Sequence, residues 1–282
     1  MKGKNGVRNL QNKIAFQGER GAFSEIAAIK FFESSINPLP CKSFEEVFQK
    51  VNNKEAKYGI LPIENSYTGS ITAVHDLLLR EELFAVGEVK LKVKHCLIVK
   101  ERISFKEIKK VYSHPQALAQ CEEFLSKNLP SCQVIPVYDT AGSVKMIKEA
   151  EENNIAAIAS SWAAELYNLK ILNSGIQDNK FNYTRFLVLS PEMNLDPKNN
   201  KTSIIFAVVN KPGALYKCLK EFAIRNIDLC RLESRPSKRE PWEYIFYTDF
   251  DKGLFDQITQ DTLEALKECT TFVKIIGTYC SK

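Results

Sequence analysis

Short apolar runs of strand length alternate along the chain with segments whose apolar residues recur at helical spacing. Residues 13–17, Lys-Ile-Ala-Phe-Gln, predict a strand, and a glycine-rich turn over 18–24 leads to a helix carrying Ile26, Ala27, Phe31 and Phe32. Residues 43–52 predict a helix with Ser43 as N-cap and Glu46, three positions on, completing a capping box. Residues 58–61 predict a buried strand that Pro62 stops, and residues 62–70 lead into a helix with Ile71, Val74 and Leu78 on one face. Strands follow near 83–89 and 93–99, then a strand end at 111–113. His114-Pro115 opens one helix through Ala117, Leu118, Cys121 and Leu125, a good place for a residue with no N–H. A strand at 134–137 feeds a helix opened by Asp139, and the apolar strand 155–159 feeds a helix capped by Ser160-Ser161. Residues 169–172 and a loop lead to Asn182-Tyr183-Thr184-Arg185-Phe186-Leu187, which has strand composition.

This alternation predicts an α/β architecture with mainly parallel pairing. Five times a strand ends in a small polar turn that starts a helix: at 21–24, 66–70, 113–116, 140–143 and 160–161. In open α/β sheets such turns gather at the carboxyl ends of the strands, where helix N-termini favour anions. Each turn could equally be plain N-capping. Together they point to a polar crevice, although no P-loop and no dinucleotide fingerprint is present. Residues 191–200, with two prolines and three asparagines, read as a linker. Beyond it the order strand, helix, strand, strand, helix, strand predicts a ferredoxin-like sandwich, with Pro236 and Pro241 in its long loop.

Composition narrows the function classes. The chain has 282 residues, 44% hydrophobic and 26% charged, a globular balance that suggests two domains. No apolar run is long enough to span a membrane, and residues 1–12 are polar and basic, a frayed tail with no signal-peptide core. The net charge of +5 is scattered, which disfavours nucleic acid as a partner. Eight cysteines form no CxxC pair, and His75, His95 and His114 lack zinc-ligand spacing, so no metal is expected. Cys96, Cys218 and Cys269 read as reduced core thiols, which fits a cytoplasmic setting.

The chemistry centres on Thr184 and Arg185. They are either an exposed pair on an edge strand or a catalytic hydroxyl and a guanidinium at the mouth of a cleft. Glu64 is a candidate general acid if its site is dry, or a helix-entry carboxylate bonding backbone N–H groups. Arg185 would hold a substrate carboxylate bidentately or form a salt bridge across the cleft. Ser24, Ser66 and Thr140 are candidate carboxylate contacts, and His114 orders its turn.

Tyr167, Leu169 and Leu172 lead to Asp178, and five residues separate it from Thr184-Arg185-Phe186-Leu187-x-Leu189. With Gly18-x-x-Gly21-Ala22-Phe23-Ser24, Pro62-Ile63-Glu64-Asn65-Ser66 and Ser113-His114-Pro115-Gln116-Ala117-Leu118-Ala119-Gln120-Cys121, this resembles the prephenate and arogenate dehydratases. Residues Gly213-Ala214-Leu215 and Glu233-Ser234-Arg235-Pro236 resemble the phenylalanine-binding pieces of an ACT regulatory domain. Cys230 stands where that family carries Ser or Thr.

The resemblance implies a two-lobed catalytic domain like a periplasmic binding protein over 13–190, with lobes of about 13–100 plus 181–190 and 101–180. The linker 191–200 and an ACT domain over 201–282 follow. It implies prephenate as substrate, converted to phenylpyruvate with loss of carbon dioxide and water and without a cofactor. Thr184 would assist the leaving hydroxyl, with Glu64, Asn65, Ser113 and Gln120 as catalytic partners; plain caps at Asn65 and Ser113 and a solvated helix face at Gln120 are the alternatives. Phe186 joins Ser24, Ser66, Thr140 and Arg185 as substrate contacts. Asn210, Pro212, Gly213, Ala214 and Leu215, with Glu233, Ser234, Arg235 and Pro236, would form the region for phenylalanine as effector, with Glu233 and Arg235 supporting the loop and interface. A homodimer or homotetramer is implied, with about a dozen residues before the first strand and no chorismate mutase domain ahead of it. Arogenate as substrate, or a non-catalytic two-lobed amino-acid sensor, are the alternatives.

Overall fold

A computed structural model describes residues 13–33, 36–237 and 244–281. The expected tail over 1–12 and Pro241 lie outside the described residues. The chain separates into two compact units, one holding residues up to Ile71 together with Val89–Phe186, the other holding Thr72–Glu88 and residues from Leu187 onward. Thr72–Glu88 therefore groups with the C-terminal part of the chain.

The first unit begins β1 (Lys13–Gln17), α1 (Phe23–Phe32), β2 (Asn37–Cys41), α2 (Phe44–Asn52), β3 (Tyr58–Asn65) and β4 (Gly69–Ser70). β1 lies between β2 and β3, parallel to both. Ser43 caps α2 by accepting the Glu46 N–H at 3.2 Å, as expected, but the Glu46 carboxylate takes the Lys42 N–H at 2.7 Å rather than closing a capping box. Pro62 does not stop β3. It lies past Ile60, the last residue of β3 that pairs with β1, so its missing N–H breaks no bond to that neighbour. The small β4 folds back on β3, opposing Ser70 to Glu64 and Gly69 to Asn65.

α3 (Thr72–Arg80) and the start of β5 (Phe84–Lys92) belong to the second unit, and the chain then returns to the first. There β6 (Cys96–Val99), a 3-10 turn (Phe105–Glu107), β7 (Lys110–Ser113), α4 (Pro115–Ala119), α5 (Glu122–Asn128), β8 (Gln133–Pro136), α6 (Thr140–Glu149), β9 (Ile155–Ala159), α7 (Ser161–Tyr167) and β10 (Lys170–Ser174) build a second lobe. Its sheet order is β10-β6-β9-β7-β8. β7 is parallel to β8 and β9, while β6 and β10 run antiparallel, so parallel pairing holds only for part of the lobe. Leu97, Val111, Leu118, Leu125, Ala156 and Ile158 are among the buried side chains of its core.

The single helix expected after Pro115 is two helices. In an unbroken helix the Phe124 N–H would bond the Gln120 carbonyl. Asp178 stands in for both: its N–H donates to the Gln120 carbonyl at 2.8 Å, and its carboxylate accepts the Glu123 N–H at 3.2 Å and the Phe124 N–H at 3.4 Å. At the break Gln120 is buried.

β11 (Tyr183–Ser190) follows β10, and the unit boundary falls within it. The second unit continues with β12 (Lys201–Ala207), α8 (Ala214–Ala223), β13 (Leu229–Pro236), β14 (Tyr244–Phe250), α9 (Gln257–Cys269) and β15 (Phe272–Tyr279). This is the expected βαββαβ order, in an antiparallel sheet β13-β14-β12-β15. β5 joins the edge at β15, where a Cβ on Gly277 would lie 2.0 Å from the Ala85 carbonyl oxygen. Residues 191–200 form no slack tether: Asn199 is buried and donates to the carbonyls of Asn194 and Thr278.

α8 and α9 cover one face of this sheet, packing on Phe206, Phe246 and Phe250. The opposite face is covered by α3. Arg231 contacts the His75 ring, Arg235 lies 3.2 Å from Asp76, and the Tyr247 hydroxyl donates to the His75 carbonyl at 3.1 Å. The Lys274 ammonium donates to the carbonyls of Leu78, Leu79 and Glu81 at 3.0, 3.0 and 2.7 Å, capping the C-terminus of α3. Among the described residues no helix is long and apolar enough to cross a membrane.

Lys274→Met keeps the stem and removes all three bonds. It is expected to lower the unfolding free energy by about 1–3 kcal/mol, read as a lower urea midpoint with an unchanged slope.

Candidate active site

The first unit encloses a cavity of about 330 Å³ between its two lobes. β11 presents Thr184 and Phe186 to it, as alternation along a strand requires, and Arg185 between them is off the cavity wall. The Arg185 guanidinium lies 3.8 Å from the Glu64 carboxylate, which is also off the wall and 40% exposed. The structure thus brings Glu64 and Arg185 to each other and not to the cavity.

Thr184 is held through amides. Asn65 Nδ2 donates to Thr184 Oγ1 at 3.0 Å and to Asn182 Oδ1 at 2.7 Å. Asn65 Oδ1 accepts the N–H groups of Tyr67 and Thr68 at 3.0 and 2.9 Å, shaping the loop after β3. Asn182 Nδ2 donates to Gln120 Oε1 at 2.8 Å, and His95 Nε2 bonds the same oxygen at 2.9 Å. A continuous chain therefore runs His95–Gln120–Asn182–Asn65–Thr184 across both lobes. With its oxygen occupied, Gln120 has its Nε2 hydrogens left to donate. Thr184, accepting from Asn65, likewise keeps its hydroxyl proton to donate.

The remaining polar wall comes from helix entries. Ala22, Phe23 and Ser24 open α1, whose N-cap Ala22 makes no side-chain capping bond, so the first N–H groups of α1 are not capped there. His114 lines the cavity while its Nδ1 accepts the Gln116 N–H at 3.2 Å, the turn-ordering role expected of it. Asp139 and Thr140 open α6 and also line it. Burial raises the Asp139 pKa above the ordinary carboxylate value, against the lowering effect of the backbone N–H bonds it accepts.

Besides Glu64 and Arg185, two more expected site residues lie off the cavity wall. Ser113 is fully buried and donates to the Ile158 carbonyl at 2.6 Å, locking β7 to β9. Ser66 donates to the Phe181 carbonyl at 2.7 Å and accepts the Tyr183 N–H at 2.9 Å, pinning the approach to β11. Of the five polar turns, 160–161 is also structural: Ser160 caps α7 and donates to the Gly21 carbonyl. In the second unit, Asn210, Pro212 and Gly213 are exposed in the turn before α8, and Ala214 and Leu215 rest on the core. Gly213 caps α8 at φ +78°, a left-handed conformation that suits glycine. Glu233 pairs with Arg231 at 2.6 Å and Arg235 with Asp76, while Ser234 and Pro236 face outward.

The sequence motifs assign no site role to Asn182, His95 or Asp139, the last marked only as a helix opener. Asn182 is two residues before Thr184, so strand periodicity put it in reach of the same face. His95 carried only the signal of a lone histidine in an apolar stretch.

The sequence matches the prephenate dehydratase family over residues 14–194. The chain belongs to that family. The Arabidopsis thaliana protein named arogenate dehydratase/prephenate dehydratase 2, chloroplastic, is 41% identical over 95% of this chain and 72% of its own length. A solved prephenate dehydratase from Arthrobacter aurescens, in complex with L-Phe, is 28% identical with a TM-score of 0.87, covering 95% of this chain and 90% of that one. A solved structure described as GqqA, a novel type of quorum quenching acylase, is 31% identical with a TM-score of 0.86, covering 96% and 98%.

In this dehydratase family member, burial holds the His95 pKa below the ordinary histidine value, with the Gln120 bond partly opposing. The unfolded chain takes up a proton that the native state refuses. Stability is therefore present at neutral pH and lost as pH falls below about 6.5. His95→Gln should flatten the stability-against-pH curve on that acid side, measured by urea denaturation at several pH values; an unchanged curve would place the proton uptake elsewhere.

Proposed function

We propose that this chain converts prephenate to phenylpyruvate, carbon dioxide and water in phenylalanine biosynthesis. The observation that carries the reading is the Thr184 hydroxyl, set in the cavity wall and held by the Asn65 amide so that its own proton is left to donate. In the reaction the bond from the ring to its carboxylate breaks and carbon dioxide leaves. Its electron pair completes the aromatic ring, and the hydroxide opposite departs, taking up a proton to become water. Thr184 donates a hydrogen bond to that departing oxygen, and solvent replaces any proton it gives up. The Gln120 amide donates alongside it, and the open N-terminus of α1 with Ser24 receives a carboxylate. The ring accepts the electrons, so the chain's own residues need only bind, orient and donate.

Glu64 and Arg185 brace each other beside the cavity in this reading, and Asn182 and Ser113 hold the frame. The acylase relative raises a second chemistry, but the cavity hydroxyl is bonded to an amide rather than to an imidazole, which leaves it without an activating base. Residues 13–190 serve as the catalytic domain and 201–282 as an ACT domain that binds phenylalanine near Asn210–Leu215, in a cytoplasmic homodimer or homotetramer. The L-Phe complex of the Arthrobacter relative supports that effector.

Thr184→Ala should lower kcat by roughly two to three orders of magnitude, and Thr184→Ser should recover most of it. Phenylpyruvate absorbance after addition of prephenate is the measurement, and near-normal turnover in the alanine variant would sink the assignment. L-Phenylalanine should lower turnover and raise Tm; Gly213→Val, which forces a β-branched residue to φ +78°, should weaken both responses.

A further inference from the structure

Gln120 serves the cavity as a donor only if its amide is the right way round. The two ends of a glutamine amide have the same shape, so hydrogen-bond partners alone decide which end faces where. Here the order is dictated from the backbone. Asn65 Oδ1 accepts the N–H groups of Tyr67 and Thr68, so Asn65 cannot turn over without setting its own N–H groups against two donors. Its Nδ2 therefore meets Asn182 Oδ1, and Asn182 Nδ2 meets Gln120 Oε1. The Gln120 Nε2 hydrogens are left over for the cavity that Gln120 lines. His95 is bound by the same rule. Its Nε2 lies 2.9 Å from Gln120 Oε1, an atom that can only accept, so Nε2 must carry the proton. Nδ1 is then bare; it is buried and has no hydrogen-bond partner among the described residues.

We propose that His95, held as the Nε2–H tautomer, is the positioning residue for Gln120 in the dehydration step. The inference rests on the dehydratase reading and adds a residue to it. Two donors, from His95 and Asn182, converge on one oxygen and fix the plane of the amide, which a single bond would let swing. The opposite tautomer costs twice: it sets the Nε2 lone pair against the Gln120 oxygen and buries an Nδ1–H with nothing to bond. The doubly protonated ring is disfavoured as well, because burial holds His95 neutral. The ring has little freedom to leave this arrangement. The His95 N–H donates to Gln177 Oε1 at 3.0 Å, and the His95 carbonyl accepts from Gly175 and Ile176. Phe23 meets the imidazole at 86°, with centroids 5.5 Å apart. His95 gives up no proton in the reaction. It holds the oxygen end of Gln120 so that the nitrogen end, with the Thr184 hydroxyl, meets the charge that develops on the departing oxygen.

The experiment compares kcat and KM for prephenate in the unaltered chain, His95→Leu, His95→Gln, Gln120→Leu and the double variant with leucine at both positions. His95→Leu is expected to lower kcat roughly ten- to a hundred-fold with KM little changed, since the positioned N–H acts on charge present only in the transition state. His95→Gln, whose side-chain N–H reaches for the same oxygen, is expected to restore most of the rate. In the Gln120→Leu background the His95 change should cost less than about threefold more, because a residue acting through Gln120 has nothing left to position. A His95 loss that is undiminished in that background overturns the inference, as does a His95→Leu variant within about threefold of the parent. Nitrogen NMR of the parent with labelled histidine needs no variant to fold: His95 is expected to show a protonated Nε2 and a bare Nδ1, and a proton on Nδ1 instead overturns the inference. A parent that converts prephenate with Nε2 bare fails the inference alone, whereas a parent that leaves prephenate unconverted fails the dehydratase reading and takes the inference with it.

Discussion

One amide sets the geometry of the catalytic unit. Asn65 uses Nδ2 to hold Thr184 and Asn182 on β11 and Oδ1 to hold the N–H groups of Tyr67 and Thr68. Its donors and its acceptor are all committed, and it is buried. A carboxylate of the same shape has no hydrogens to give to Thr184, and an aliphatic side chain would leave two backbone N–H groups unpaired in a buried place. The loop after β3, the register of β11 beside it and the direction of the Thr184 hydroxyl are thus one arrangement. Asn182 extends it to Gln120 in the other lobe, so the hydroxyl and the amide that face the cavity are set from a single network.

The fold was largely legible because its signals are local. Apolar runs at 155–159 and 13–17 became buried strands, Ser43, Asp139 and Ser160 became caps, and the C-terminal βαββαβ order appeared as read. Errors arose where a distant residue overrode a local pattern. The helix periodicity from Ala117 to Leu125 is intact, yet Asp178, more than fifty positions away, occupies the bonds that would have joined its halves. Pro62 reads as a stop only if both strand edges need its N–H. The site was legible as a set of neighbours more than as a set of roles. Strand alternation put Thr184 and Phe186 on the cavity and left Arg185 off it, a consequence of period two that a motif string does not display. Glu64 and Ser113 stand in recognisable stretches, but their side chains are committed to Arg185 and to the Ile158 carbonyl.

The same contrast applies to charge. A net charge of +5 suggests attraction for anions, but the cavity wall carries no formal cation among the described residues. Anion affinity there must come from helix entries, hydroxyls and amides, which are oriented dipoles at fixed positions. Such groups discriminate by direction and distance, whereas a flexible ammonium would accept a carboxylate in many poses.

The cap that Lys274 places on α3 spans most of the chain. Residues 78–81 leave the ribosome nearly two hundred positions before the side chain that satisfies their carbonyls. Until then α3 has no finished C-terminus and no sheet to lie on, while the strands and helices up to Ile71 and from Val89 to Phe186 are already available. Assembly during synthesis is therefore discontinuous for this stretch: it emerges early and becomes native only after the residues beyond Leu187, which complete its unit, have been made.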